Sequence, residues 1–329
     1  MTGAEVDDHR GAARHPSMPR AWATHRRARE RLMSTTTQNS EKTRPTDNLM
    51  DGTGLARRLV QQTTEAAADL LRRTGTAPCL ATVLVGEDPA SVTYVRMKQN
   101  RCAGAGIRSR HVALPASVST AELVDAVAVL SADPDVHGIL LQHPVGPHID
   151  ERAAFEAIAP EKDVDGVTMH SFAAMGFGLP GFVSCTPGGI MRLLDAYDVD
   201  LAGKHAVVVG RSAILGKPVG MLLLGQDATV TYCHSRTSDL PALVREADVV
   251  VAAVGRPRLI AGTDVKPGAV VVDAGYNPGN VGDVDFETAR ERASLITPVP
   301  GGVGPMTIAV LLEQTVTAAT RQLGLPVGG

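Results

Sequence analysis

The sequence predicts an α/β protein of two parallel-sheet domains, the second a Rossmann-type doubly wound unit, with a cleft between them. Three observations predict it. Apolar runs that end at a glycine recur at 79–86, 206–210, 248–255 and 268–275. Continuous runs of this kind belong to parallel sheets covered on both faces, because a half-open sheet would alternate. Segments with helical apolar spacing separate the runs, the alternation that crossover helices require. The length, 329 residues, is enough for two such domains.

Residues 1–47 stand apart. They are rich in Arg, Thr, Ser and Pro and nearly lack Val, Ile and Leu, so they bury too little apolar surface to offset their ordering entropy. The acids Glu5, Asp7, Asp8 and Glu30 are out of place in a transit peptide, and no signal-peptide apolar core is present. The segment reads as a disordered extension, with Met33 as a candidate alternative start. Order is expected from Leu49 onward.

The first domain is expected over 48–189. Residues 54–73 have the spacing of an amphipathic helix, with Leu55, Leu59, Ala66, Leu70 and Leu71 near one face. A buried strand over 79–86 leads through a turn to a helix for which Ser91 is the candidate N-cap. That helix carries Tyr94 and Lys98, four apart and so on one face. Residues 108–114 read as a strand, 120–130 as a helix capped at Thr120, and 136–142 as a buried strand ending in the polar Gln142. The turn Pro160-Glu-Lys-Asp-Val-Asp-Gly166 is too acidic for a core and contains Asp165. Taken singly, Lys98 has an ordinary reading as a solvated helix lysine, Gln142 as a strand cap and Asp165 as a turn acid. Together, a partly desolvated lysine beside a tyrosine and a glutamine amide is suited to moving protons near neutrality.

The second domain is expected over 190–302, with a C-terminal helix over 303–325 packing back on the first. Its most informative stretch is a strand over 206–209 followed by Gly210-Arg-Ser-Ala-Ile-Leu-Gly216. A strand, a glycine turn and a helix start direct backbone N–H groups and a helix dipole at one spot, which suits a pyrophosphate. Ser212 stands where the usual fingerprint has its middle glycine. The next strand, 228–233, ends in His234-Ser-Arg-Thr237. An NAD site would place an acid here for the ribose hydroxyl. This chain has Ser235 and Arg236, with Arg211 a second cation at the same mouth, so NADP is favoured over NAD. The plain alternative is that both arginines are ordinary exposed residues.

Composition excludes other classes. Net charge is −3 with 20% charged residues, so no basic excess points to nucleic acid, and 3% aromatics leaves little for base stacking. No run of 18 apolar residues exists, so no membrane span is expected. The cysteines Cys79, Cys102, Cys185 and Cys233 are far apart and form no metal or redox motif. They read as buried thiols of a cytoplasmic protein.

Six motifs, in order, carry a resemblance. They are Tyr94-Val-Arg-Met-Lys98 with Gly106-Ile107, Gly138-Ile-Leu-Leu-Gln-His-Pro144, the acidic turn at 160–166, Cys185-Thr-Pro-Gly-Gly-Ile190, Gly210-Arg-Ser-Ala-Ile-Leu-Gly-Lys-Pro218, and Pro298-Val-Pro-Gly-Gly-Val-Gly-Pro-Met-Thr307. Over roughly 48–322 the chain resembles the bifunctional methylenetetrahydrofolate dehydrogenase/methenyltetrahydrofolate cyclohydrolase family. The resemblance implies a catalytic cleft between the domains, NADP as cofactor, tetrahydrofolate derivatives as substrates, no metal, and a homodimer. By the same resemblance Lys98 is the proton-handling lysine of the cyclohydrolase step. Tyr94 stacks near the folate, Gln142 tunes the lysine and Asp165 anchors the pterin. Gly210, Arg211, Ser212 and Gly216 form the cofactor turn, with Ser235 and Arg236 near the 2′-phosphate and Tyr276 near the nicotinamide. Pro300, Gly301, Gly302, Pro305 and Thr307 close the folate side.

The chain also departs from the family. His143 and Gly146 stand where the family usually has leucine and proline, and 169–178 lacks a common Asn-Val-Gly. These departures bear on the pH profile and the balance of the two steps. Alternatives within reach of the sequence are a dehydrogenase that has lost the cyclohydrolase step, which loss of Lys98 would have marked, and a non-catalytic NADP-binding regulator.

Overall fold

A computed structural model describes residues 47–87 and 89–326, apart from the side chains of 89–94. The expected extension lies, through residue 46, outside the described residues.

The first sheet has three parallel strands in the order β2-β1-β3, with β1 at Cys79–Val85, β2 at Arg108–Leu114 and β3 at Gly138–Leu141. Around it run α1 (Gly52–Thr74), α2 (Pro89–Gly104), α3 (Thr120–Ala132) and α4 (Glu151–Glu156); α5 (Met169–Phe177) and α6 (Cys185–Ala196) follow, with Ile190, Leu193 and Leu194 of α6 in the core of the second sheet. The second sheet comprises β4 (His205–Val209), β5 (Thr229–Cys233), β6 (Val249–Ala252), β7 (Val270–Asp273) and β8 (Leu295–Ile296), all parallel, in the order β5-β4-β6-β7-β8. Its helices are α7 (Gly216–Leu224), α8 (Leu240–Glu246) and α9 (Phe286–Arg290), and α10 (Val303–Gln322) closes the described chain. The strand order reverses between β4 and β6, a topological switch point where doubly wound sheets open a crevice at their carboxyl edge.

The valine runs follow from the two-sided cover. Val208, Val251 and Val272 enter one core, while Val207, Val209, Val250 and Val271 enter the core on the other face. Side chains alternate across a strand, so both registers must be apolar. The helices α1 and α10 each serve both sheets. Ala56 of α1 and Val303, Met306 and Ala309 of α10 pack in the core of the second sheet. Ala67 of α1 and Val310, Leu311 and Leu312 of α10 pack with Leu80 and Leu140 of the first.

Several local expectations change. On α1 the buried stripe runs through Ala56, Thr63, Ala67 and Leu70, while Ala66 and Leu71 are exposed. α2 begins at Pro89, so Ser91 lies inside the helix rather than at its cap. Proline suits a first helical position because its missing N–H has no partner there anyway. The cap of α3 is Ser119, in a reciprocal capping box with Glu122, rather than Thr120. Asp47, assigned by composition to the extension, accepts from Arg290 Nη2 at 2.8 Å. Residues 48–50 then bond along β8, with Ile296 N donating to Asn48 O and Met50 N to Ile296 O.

Candidate active site

Lys98 sits on α2, which crosses over from β1 and lies near β2. Its Nζ donates to Gln142 Oε1 at 2.9 Å. Gln142 stands just past β3, where its backbone N still bonds Val83 O, and its Nε2 donates to His143 O at 3.1 Å. The glutamine is thus held at both ends and presents only its carbonyl oxygen to the lysine. Tyr94 lies one helical turn before Lys98, with its side chain outside the described residues.

Asp165 faces the same lysine from the loop after the 3₁₀ turn Pro160–Lys162. The loop is rigid for identifiable reasons. Asp163, fully buried, accepts from Val167 N, Thr168 N and Thr168 Oγ1. Gly166 has φ +67, and a Cβ there would lie 2.4 Å from Ser184 N. Gln314 of α10 donates to both Val164 O and Val183 O and accepts from Val183 N. Burial pushes the Asp165 carboxyl above its ordinary value, against the opposing pull of Lys98 and His143. Burial pushes Lys98 below its ordinary value, with Asp165 opposing. Desolvation disfavours the charged form of each group, and the pair supports the charge of both. Cys185, at the start of α6, donates to Val164 O, and burial beside Asp165 lifts its thiol well above the ordinary value.

The glycine-rich stretch 300–307 joins this cluster at its far side. Thr307 Oγ1 donates to Thr186 Oγ1 at 3.0 Å, next in sequence to Cys185. Gly301 O accepts from Thr53 N, Gly302 N bonds Pro298 O, and Pro300 and Pro305 flank the entry to α10. Gly52 and Gly302 pass so closely that a Cβ on Gly52 would lie 1.8 Å from Gly302 O.

The nucleotide turn lies at the switch point. Gly210 has φ +136, and a Cβ there would meet Ala253 O at 2.3 Å, so the turn after β4 is pressed against the end of β6. Gly216 opens α7, and a Cβ there would lie 2.4 Å from Gly210 O. Ser212 does more than replace a glycine, since its Oγ accepts from Leu215 N and Gly216 N and holds the helix start. Ile214 packs against the core of the first sheet, tying this turn to the other lobe. Phe172 of α5 with Arg211, Lys217, Met221, Tyr232 and His234 lines an open pocket of about 390 Å³. Ser235 and Arg236 are exposed on the turn after β5, where Arg236 N donates to His234 Nδ1. Tyr276 is exposed beyond β7, its hydroxyl on Asn280 Oδ1. The glycine turn, the helix start it leads into and the cations Arg211 and Lys217 beside them fit a phosphorylated dinucleotide.

Models of this architecture's sequence families decide the assignment. Residues 50–165 match the tetrahydrofolate dehydrogenase/cyclohydrolase catalytic domain, and 184–323 match the NAD(P)-binding domain of the same family. The chain belongs to the tetrahydrofolate dehydrogenase/cyclohydrolase family. It is 81% identical over 280 residues to the bifunctional protein FolD 1 of Streptomyces avermitilis, covering 85% of this chain and 98% of that protein. It is 68% identical to the FolD 1 protein of Salinispora arenicola, covering 84% and 99%. Among solved structures it resembles the bifunctional FolD of Campylobacter jejuni with TM-score 0.81 at 44% identity, covering 83% of this chain and 98% of that one. The Trypanosoma brucei FolD, complexed with NADP and an inhibitor, has TM-score 0.81 at 40% identity, covering 84% and 98%.

Family membership makes the chain an oxidoreductase and hydrolase of folate one-carbon chemistry. Sequence reasoning missed the groups that hold the site residues in place, namely Asp163, Gln314, Asp273 and Asp283. Asp273 alone of these carried a signal, an acid closing a valine run, where a solvated carboxylate is out of place.

Proposed function

We propose that this chain oxidises 5,10-methylenetetrahydrofolate with NADP and hydrolyses the resulting 5,10-methenyl cation to 10-formyltetrahydrofolate, in one cleft. The observation that carries the reading is the Lys98–Gln142 bond at 2.9 Å, with the half-buried Asp165 carboxyl acting on the same lysine.

Hydride acceptance is the chemistry that NADP supplies when bound, with Gly210, Arg211, Ser212, Gly216, Ser235, Arg236 and the backbone at Tyr276 holding it. Asp165 bonds the pterin and fixes the one-carbon bridge, and Tyr94 with Pro300, Gly301, Gly302, Pro305 and Thr307 encloses the folate. Positioning of this kind supplies much of a hydride-transfer barrier reduction. In the second step Lys98, its amine favoured by burial, takes a proton as water adds to the amidinium carbon. The carbon–N5 bond then breaks, N5 gains a proton, the added hydroxyl loses one, and the formyl group stays on N10 with net release of one proton. Gln142 keeps the amine aimed at the water.

The test is spectrophotometric. Reduced nicotinamide appears far faster with NADP than with NAD at equal enzyme, and supplied methenyltetrahydrofolate loses its absorbance. An enzyme that leaves the methenyl signal standing, or prefers NAD, contradicts the reading. Ser235→Asp is expected to weaken NADP by about 1–3 kcal/mol, the scale of a charge-assisted bond replaced by repulsion.

A homodimer in the cytoplasm completes the reading. All four cysteines are free and buried, as suits a reducing compartment. No helix among the described residues is long and apolar enough to cross a membrane. Phe177 at the end of α5, Leu179 just beyond it, Leu224 on α7 and Tyr232 on the edge strand β5 are exposed apolar groups on neighbouring elements, and such faces mark association surfaces. Sedimentation at micromolar concentration is expected to give twice the chain mass, and a monomer would remove the dimer.

A further inference from the structure

Two buried carboxylates knit the loops at the carboxyl edge of β6 and β7. Asp283, with no exposed surface, accepts from Val254 N at 2.7 Å, Gly255 N at 2.9 Å, Arg256 N at 2.8 Å and Asn277 Nδ2 at 3.0 Å. Asp273, the last residue of β7, accepts from Gly275 N, Asp283 N and Val284 N at 2.9, 3.0 and 2.8 Å. None of these seven donors is a cation. Carboxylates satisfied wholly by N–H groups fix backbone geometry, because each oxygen lone pair sets the place of one donor. Two glycines let the acids reach so far in. A Cβ on Gly275 would lie 2.2 Å from Asp283 Cγ, and one on Gly282 would lie 2.0 Å from Asp273 Oδ2.

The tied segments flank the switch-point crevice. Residues 253–256 leave β6 where Ala253 O meets Gly210, and Ala253 N bonds Val209 O. Residues 274–277 leave β7 and carry Tyr276. Backbone bonds join the margins of these loops, from Ala274 N to Ala252 O, from Arg258 N to Gly282 O and from Asn277 N to Val281 O, and the Asp283 side chain spans the stretch between them.

We propose that Asp283 is a positioning residue for the dehydrogenase step. It holds the loop after β6 and the turn after β7 in register, so that the wall against Gly210 and the backbone at Tyr276 receive the nicotinamide half of the dinucleotide in one fixed place. Asn277 is its partner in the clamp, bonding Asp283 and Val281 O together. The inference rests on the cofactor placement given under Proposed function, and it assigns these residues no contact with the folate or with Lys98.

The test uses the two activities as mutual controls. Asp283→Asn turns part of the acceptor surface into an N–H donor facing N–H groups. NADP affinity, measured by calorimetric titration of the full chain, is expected to fall about tenfold or more, as for loss of a hydrogen bond to a charged group. The dehydrogenase kcat falls with it, while hydrolysis of supplied methenyltetrahydrofolate without NADP stays within about twofold, because no residue assigned to that step touches the clamp. Asn277→Ala moves both readouts in the same directions by a smaller factor, and decides the matter should Asp283→Asn fail to fold. Unchanged NADP affinity in Asn277→Ala and Asp283→Asn overturns the proposal, as does an equal loss of both activities in step with the melting temperature. A wild-type chain without NADP-dependent oxidation would sink the proposed function instead.

Discussion

Lys98→Met is expected to slow methenyl hydrolysis by about 10²–10⁴-fold, the usual contribution of a positioned general acid or base. Methionine keeps the length and apolar body of the side chain and removes only the amine. Gln142 Oε1 then loses the donor it meets at 2.9 Å, and Asp165 loses the charge that opposes the burial of its carboxyl. The carboxyl rises further as a result, so pterin binding weakens and oxidation slows by a smaller factor. The pH profile separates the two effects. Burial lowers the Lys98 pKa, so the fraction of neutral amine grows with rising pH from a lower starting point than for a solvated lysine. The wild-type hydrolysis rate should rise along that limb, and the limb should vanish in Lys98→Met. Decay of methenyl absorbance across pH measures both. A variant that keeps its rate within about threefold would remove Lys98 from the proton transfers.

The large elements were legible because burial on both faces writes itself into composition. Val249, Val250 and Val251 alternate between two cores, so the run is continuous and cannot be mistaken for a surface strand. Smaller features obey local competition that the pattern does not encode. Leu71 fits the apolar count of α1, yet it faces outward because Ala67, packed with Leu80 and α10, and the buried Leu70 take the inward face. Ser119 won the cap of α3 over its neighbour Thr120 because Glu122 lies three residues on and completes the box. β8 has two residues and no period, and it exists because Val270 and Val271 on one side and Leu49 on the other supply partners. At the site, chemistry-bearing residues were visible as motifs, but their supports were not. Gln314 lies about 150 residues from the loop it bonds, and no local pattern records such a distance. Asp283 looks in sequence like a turn acid, and only the folded sheet brings Val254, Gly255, Arg256 and Asn277 around it.

Gly210→Ala should abolish useful NADP binding while sparing hydrolysis of the methenyl substrate. Two separate effects act. The backbone at φ +136 is open to glycine and strained for any other residue, which costs about 1–3 kcal/mol. The added Cβ would also meet Ala253 O at 2.3 Å and Ala253 C at 3.0 Å. These are backbone atoms fixed by the bond from Ala253 N to Val209 O, so they cannot move aside as a flexible side chain would, and the turn must shift instead. Any shift moves Ser212 away from Leu215 N and Gly216 N, which it holds at 3.2 Å, and tilts the start of α7. The helix N-terminus and Arg211 then no longer address one phosphate position. Gly203→Ala supplies the control, because Gly203 has φ +72 with open space where its Cβ would lie. It carries positive-φ strain without the collision, at the opposite end of β4. Calorimetric titration with NADP should find wild-type affinity in Gly203→Ala and a loss of at least about 100-fold in Gly210→Ala, which corresponds to about 2.7 kcal/mol. If the two variants bind alike, the approach of β4 to β6 is not what shapes the dinucleotide crevice.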